Sequence, residues 1–273
     1  MKLATLGPAG TFSEVAAGLY QPEQNHDIQL LDNLVSCLAS VGRECDAAVV
    51  PIENLTEGFV SPVVDYLVQR PLRIQAEIRI PVGFQCLSNS ANPTQIWAQF
   101  VAAGQCNSYL HKLGLPIIHT ASNAASLQAL LAAEEASAAI VPQHISCPQT
   151  LQILSNNIAD NPRNETRFVV LSAASEEPEY RKDERWKSSL LLIDDNDHPG
   201  LLVDSLQVFA KQQINLTSIV SRPAGSQFGD YHFFIDFDGH RSEPGVASAL
   251  KELAAMNNIH WLGSYPAAEI GKQ

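Results

Sequence analysis

The chain has 273 residues, 45% of them hydrophobic and 17% charged, which is enough for two domains with sizeable cores. Its formal net charge of −12, with no cluster of Lys and Arg, argues against nucleic acid as a partner, because phosphate binding needs a concentrated basic face. No apolar run approaches the roughly 18 residues needed to cross a bilayer. MKLATLGPAG breaks at Gly7-Pro8, too early for a signal peptide. Cys37, Cys45, Cys86, Cys106 and Cys147 form no C-x-x-C pair, so the expectation is a cytoplasmic protein with reduced thiols and neither a disulfide framework nor a zinc site.

In chain order, residues 2–6 read as a strand ended by Gly7-Pro8-Ala9-Gly10, with Thr11 or Ser13 capping a helix through Val15–Tyr20. A second helix is expected over Asp32–Gly42. "CDAAVVPIEN" (45–54) is a short apolar strand stopped at Pro51, and Val60–Val68 is helical. Residues 72–87 partly alternate, as strands do, while 94–113 and 122–135 read as helices. "ASAAIVPQHI" (136–145) echoes "CDAAVVPIEN", which suggests two α/β lobes of related plan. Each would present polar groups at a strand end, and open α/β sheets bind ligands there. Phe168–Leu171 would close this half of the chain.

Residues 173–186, "AASEEPEYRKDERW", have the charge and Pro content of a linker. The pattern then restarts as strand "SSLLLIDD", helix "HPGLLVDSLQVFAKQQ", strands "NLTSIVSRP" and "DYHFFIDFDGH", helix "EPGVASALKELAAM" and strand "IHWLGSYP". This is the βαββαβ order of a ferredoxin-like domain.

Three segments could carry chemistry. The helix start after "LGPAGT" has exposed amides able to hold a carboxylate, or is only a capped turn. Glu53 and Asn54 lie just past an apolar strand, either as solvated loop groups or in a cleft. Thr166 either caps a turn or faces that cleft. Arg167 either pairs with a surface acid or clamps a carboxylate through its bidentate fork. No Ser-His-Asp order and no metal-ligand spacing among the histidines is evident.

Taken together, "GPAGTFSEVAA", "VVPIENLTEGFV" and "IADNPRNETRFVVL", in this order, resemble the prephenate dehydratase family. "HPGLL" and "NLTSIVSRP" resemble the two ligand motifs of the ACT domain that follows many of its members. The resemblance implies a two-lobed, periplasmic-binding-protein-like α/β catalytic domain over 1–173 (lobe 1 about 1–77 and 155–173, lobe 2 about 78–154), a linker at 174–186 and an ACT domain over 187–268. It implies cofactor-free conversion of prephenate to phenylpyruvate, inhibition by phenylalanine, and a homodimer or homotetramer. Thr166, Arg167 and Glu53 would be catalytic. Thr11, Ser13, Asn54, Gln99, Ser122, Asn123 and Phe168 would contact substrate. Gly200, Leu201, Leu202, Asn215, Leu216, Ser221, Arg222 and Pro223 would hold the effector.

Three departures from the family pattern stand out. "AQFVAAGQC" (98–106) replaces S-H-P-Q-A-L-A-Q-C, putting Gln99, which cannot titrate, where the family has His. Ser122-Asn123 replaces Ser-Thr, and Val220 replaces the Glu of E-S-R-P. They keep alive a non-aromatising prephenate decarboxylase and a catalytically inactive amino-acid sensor as alternatives. A two-lobed solute-binding protein fits less well without a signal sequence.

Overall fold

The computed structural model describes residues 1–20, 26–173, 177–193, 199–224 and 231–268. Residues 174–176 of the expected linker, Asp194 and Asp195 at the end of "SSLLLIDD", His198 of "HPGLL" and Asp230 lie outside the described residues.

The first sheet is built from β1 (Lys2–Leu6), β2 (Asp27–Leu31), β3 (Ala47–Asn54), β4 (Gly58–Phe59) and β5 (Arg73–Pro81), joined much later in the chain by β11 (Glu165–Ser172). Its order is β2-β1-β3-β11-β5, with β4 paired to β3. β1 and β3 run parallel with both faces covered, so their apolar runs are continuous rather than alternating, and Ala47–Val50 is wholly buried. β11 returns antiparallel between β3 and β5, which sets Thr166 opposite Asn54 and Ile80. Helix α1 (Phe12–Leu19) covers one face through Ala16 and Ala17, which pack on Leu3, Val49, Phe168 and Val170. Helices α2 (Leu34–Ser40) and α3 (Ser61–Gln69) cover part of the other face through Cys37, Leu38, Val63 and Leu67.

The second sheet contains β6 (Phe84–Ser88), β7 (Gln95–Gln99), β8 (Ile117–Thr120), β9 (Ser137–Pro142) and β10 (Gln152–Ser155) in the order β10-β6-β9-β7-β8. Its helices are α4 (Phe100–Gln105), α5 (Asn107–Leu113) and α6 (Asn123–Ala132). The helix expected over 94–113 is corrected here. Ile96 and Ala98 are buried while Gln95, Trp97 and Gln99 are only half-buried, a two-residue period that makes 95–99 a strand. Helix begins only after Gln99.

The last sheet holds β12 (Trp186–Ile193), β13 (Leu216–Pro223), β14 (Tyr231–Asp238) and β15 (Asn258–Pro266), in the order β13-β14-β12-β15 and antiparallel throughout. Helices α7 (Leu201–Lys211) and α8 (Pro244–Met256) bury Val208, Phe209, Val246 and Leu253 against one of its faces. This is the βαββαβ arrangement expected from the sequence.

The linker expectation changes more. Glu177 accepts from Trp261 Nε1 at 2.5 Å, Tyr180 stacks on the His240 ring at 4.4 Å, and Trp186 already belongs to β12. Glu177, Tyr180 and Trp186 are therefore packed on the C-terminal domain, while residues 181–185 between them stay exposed. The free face of the last sheet in turn contributes Leu191, Phe234, Leu262 and Tyr265 to the core that holds Ala48, Val50, Ile52, Ile74, Val169 and Leu171. One apolar core thus spans both domains.

The two backbones come closest at Gly263, where φ is +131° and an added Cβ would sit 2.8 Å from the Ile74 carbonyl oxygen. Gly263→Ala is therefore expected to cost about 1–3 kcal/mol, through overpacking and a backbone conformation unfavourable for L-residues. The check is a lower urea midpoint with an unchanged denaturant slope.

Candidate active site

The carboxyl ends of β1 and β3 and the amino end of β11 meet facing the second lobe. Thr11 is the cap of α1. Its Oγ1 accepts from Glu14 N at 3.3 Å, and Glu14 reaches back to accept from Gly10 N at 2.6 Å, a reciprocal closure that fixes the Gly10–Thr11 turn. Ser13 lies inside the helix, buried against the sheet, so its side chain is not at the turn where a ligand would enter.

Asn54 is the organising residue of the next loop. Its Oδ1 accepts from Thr56 N at 2.9 Å and Glu57 N at 3.0 Å, which fixes the amide orientation and leaves Nδ2 to donate to Thr166 Oγ1 at 2.8 Å. A hydroxyl whose oxygen already accepts from an amide keeps its own proton free to donate elsewhere.

Two contacts join the lobes at this level. His144 Nε2 donates to the Gly10 carbonyl at 3.0 Å, and its ring packs on Phe12 with centroids 4.9 Å apart. Farther along, Gln105 Nε2 donates to Glu57 at 3.0 Å, while Gln105 Oε1 accepts from Asn164 Nδ2 at 3.1 Å. Between the lobes lies a cavity of about 610 Å³ lined by residues that include Phe12, Val15, Arg79, Ile80, His144 and Asn164; Asn54 and Thr166 are not among its lining residues. Asn164 is buried and its Oδ1 has no hydrogen-bond partner.

His144, Gln105, Glu57 and Asn164 were not singled out from the sequence. The recurrence of polar residues after Pro51 and Pro142 was the available signal for His144. Gln99 sits at the end of β7, where its Oε1 accepts from Ala102 N and caps α4. Ser122 caps α6 by accepting from Ala125 N, and Asn123 is the first helical residue. Among the described residues no group of three or more His, Cys, Asp or Glu is placed to hold a metal ion.

Arg167 departs most from the expectation of a carboxylate clamp in the cleft. Side chains alternate along a strand. Phe168 and Val170 lie in the core under α1, so Phe168 packs the strand, whereas Val169 and Leu171 lie in the core shared with the C-terminal domain. Arg167 points to that second side. Its Nη1 is 2.5 Å from Asp236 Oδ2 of β14 and 3.3 Å from Glu77 Oε2 of β5, and its Nε is 3.3 Å from Glu53 Oε2. Lys187 of β12 also pairs with Glu77, at 2.9 Å.

Burial pushes the Glu53 carboxyl up despite Arg167. Burial pushes Glu77 up as well, but Lys187 and Arg167 more than offset it and hold that carboxyl below its usual range. Glu53 thus shares the Arg167 side, and Asn54 the Thr166 side. The irregular pairing of β3 with β11 between Arg167 and Phe168 allows neighbouring residues to be sorted this way.

The expected effector residues do not converge within one chain. Gly200 begins α7 with φ +102°, Leu201 is buried in the core, and Asn215 donates to Asp238 at 2.8 Å. Arg222 makes a bidentate pair with Asp65 of α3, at 2.7 and 2.8 Å. Leu216 and Pro223 lie at opposite ends of β13, seven positions apart, roughly 23 Å at about 3.3 Å per residue.

Two open α/β lobes with a cleft at their strand ends, followed by a docked βαββαβ domain, define a cleft enzyme that carries its own regulatory domain. The prephenate dehydratase family model matches residues 3–176 and the ACT domain model matches 190–255. The chain belongs to the prephenate dehydratase family. It is 34% identical over 275 residues to a bifunctional chorismate mutase/prephenate dehydratase of Aquifex aeolicus, covering 98% of this chain and 74% of that protein. A prephenate dehydratase from Arthrobacter aurescens in complex with L-Phe superposes with a TM-score of 0.87 at 32% identity, covering 98% of this chain and 92% of the other. The Staphylococcus aureus enzyme gives 0.82 at 28% identity, covering 97% and 100%.

Proposed function

We infer that this chain is a prephenate dehydratase that converts prephenate to phenylpyruvate in phenylalanine biosynthesis, with phenylalanine as its allosteric effector. The observation that carries the reading is the hydrogen bond from Asn54 Nδ2 to Thr166 Oγ1, where β3 ends and β11 begins. As the ring carboxylate leaves as carbon dioxide, its bonding electrons pass through the ring and expel the hydroxyl on the opposite carbon. Hydroxide is a poor leaving group, so a donor aimed at the departing oxygen lowers the barrier. Thr166 is that donor, its own oxygen occupied by Asn54. An alcohol is too weak an acid to give up its proton outright. Gln99 does not titrate and is engaged as a helix cap.

Phenylalanine is read as binding between copies of the C-terminal domain, in a homodimer or homotetramer. β13 is the outer strand of its sheet. Antiparallel pairing of β13 with its counterpart in a second copy would bring Asn215 and Leu216 of one chain beside Ser221 and Gly200 of the other. No helix among the described residues is long and apolar enough to cross a membrane. A cytoplasmic location fits this and the five free cysteines.

The test is incubation with prephenate, followed by the alkaline absorbance and mass of the product. Phenylpyruvate is expected. A dihydro-hydroxyphenylpyruvate would instead establish non-aromatising decarboxylation, the reading favoured by Gln99. Unchanged prephenate with retained phenylalanine binding would establish a sensor.

A further inference from the structure

We propose that Asp236, a residue of the C-terminal domain, is a positioning residue for the dehydratase reaction, acting through Arg167 on the β11 mouth that carries Thr166. The inference rests on the dehydratase reading of the cleft. Asp236 is fully buried in β14. Its Oδ1 accepts from Ser189 of β12 at 2.5 Å, and Ser189 is itself 2.7 Å from the Tyr265 hydroxyl of β15. Three strands of one sheet therefore fix one carboxylate, and its other oxygen lies 2.5 Å from Arg167 Nη1.

Arg167 is anchored from further sides by Glu53, Glu77 and the Phe59 ring, whose centroid is 5.9 Å from the guanidinium carbon. Phe59 in turn packs against Phe234 of β14, with centroids 5.7 Å apart. A charge this deeply buried tolerates little displacement, because any movement leaves carboxylates unpaired. Arg167 and Thr166 are consecutive in one strand, and Glu53 and Asn54 are consecutive in the strand beside it. The same two dipeptides thus present one side chain each to the Asn54–Thr166 hydrogen bond and one each to the Arg167–Glu53 pair on the side of the C-terminal domain. Fixing the Arg167–Glu53 side fixes the direction of the Asn54–Thr166 hydrogen bond on the other.

The experiment uses the full chain and Asp236→Asn, which keeps an acceptor for Ser189 but loses the charge. The expected result is a fall in kcat of roughly 10- to 100-fold with little change in KM, the signature of misplaced catalytic geometry. Amide exchange of the 161–168 segment should rise while that of 137–142 stays constant. Combining Asp236→Asn with Arg167→Gln should lower kcat no further than Arg167→Gln alone, because the two act in series. Gly263→Ala, which stresses the same interface without touching a charge, should leave kcat within about twofold of wild type.

An unchanged kcat in an active enzyme, unchanged exchange at 161–168, or an equal kcat loss in Gly263→Ala overturns the proposal. If Asp236→Asn does not fold, Ser189→Ala replaces it, with the same direction in both readouts. If the wild-type chain makes no phenylpyruvate, the dehydratase reading fails, and amide exchange alone decides whether Asp236 holds the β11 mouth.

Discussion

Thr166→Val lowers kcat by about 10²–10⁴-fold, the usual range for losing a positioned proton-donating group, while KM changes little. Valine keeps the branched shape that suits a strand and removes only the hydroxyl. Asn54 Nδ2 loses one acceptor but retains the Glu165 carbonyl at 3.2 Å, so the β3–β11 mouth stays paired. The substrate still enters a cleft of the same size, which is why the loss falls on the chemical step rather than on binding. Steady-state kinetics with circular dichroism check this. Thr166→Ser retains the hydroxyl and should recover most of the rate. A serine variant as slow as the valine variant would rule out a hydrogen-bonding role for Thr166.

The strands legible in the sequence were those whose burial left no ambiguity. Ala47–Val50 and Ala138–Val141 are continuous apolar runs because sheet neighbours and helices enclose them. β2, β8 and β10 escaped notice because they are sheet-edge strands of four or five residues, half-exposed, with no full apolar period. β7 was absorbed into a helix because Ala98 and the alanines after it read as helical until Gln99 caps α4.

Of the site, the family motifs pointed to Asn54 and Thr166, but not to the hydrogen bond between them. That bond depends on β11 crossing the sheet to lie beside β3, a separation of 112 residues. For Arg167 the sequence left two readings open, an acid pair or a carboxylate clamp, and the structure pairs it with acids. A lone Arg at a strand mouth near a proposed cleft suggests a ligand clamp, and only the docked C-terminal sheet reveals which side of the strand it serves. The acids that hold it, Glu77 and Asp236, sit in stretches that read as ordinary alternating strand. A segment rich in charge and marked by Pro likewise looked like a free linker, although Glu177 and Tyr180 are bound by partners more than 50 residues away.

Arg167→Met carries the largest expected loss of stability. It leaves Asp236 with the Ser189 hydroxyl, Glu77 with Lys187, and Glu53 without the larger of the two cationic effects, those of Arg167 and Lys187, that oppose its burial. Removing one partner of a buried ionic network costs about 3–5 kcal/mol, which for a chain of this size is a fall in Tm of about 10 °C. The deficit should depend on pH. In the wild type the Glu77 carboxyl is held below its usual range, so its stabilisation is complete above the unfolded carboxylate pKa and is lost as pH falls through the lower folded value. Without Arg167, burial dominates, and carboxyls raised in the fold destabilise it increasingly as pH rises through their folded values. The two stability curves should therefore converge only below about pH 4, as pH falls through the depressed Glu77 value, and separate towards about pH 7–8. Denaturant titrations across that range check the sign. Adding Asp236→Asn to Arg167→Met should recover part of the loss at pH 7, because a neutral amide is cheaper to bury than an unpaired carboxylate. A deficit equal at pH 4 and pH 8 would mean that Arg167 contributes packing alone, and its carboxylate partners would not be what ties the two domains together.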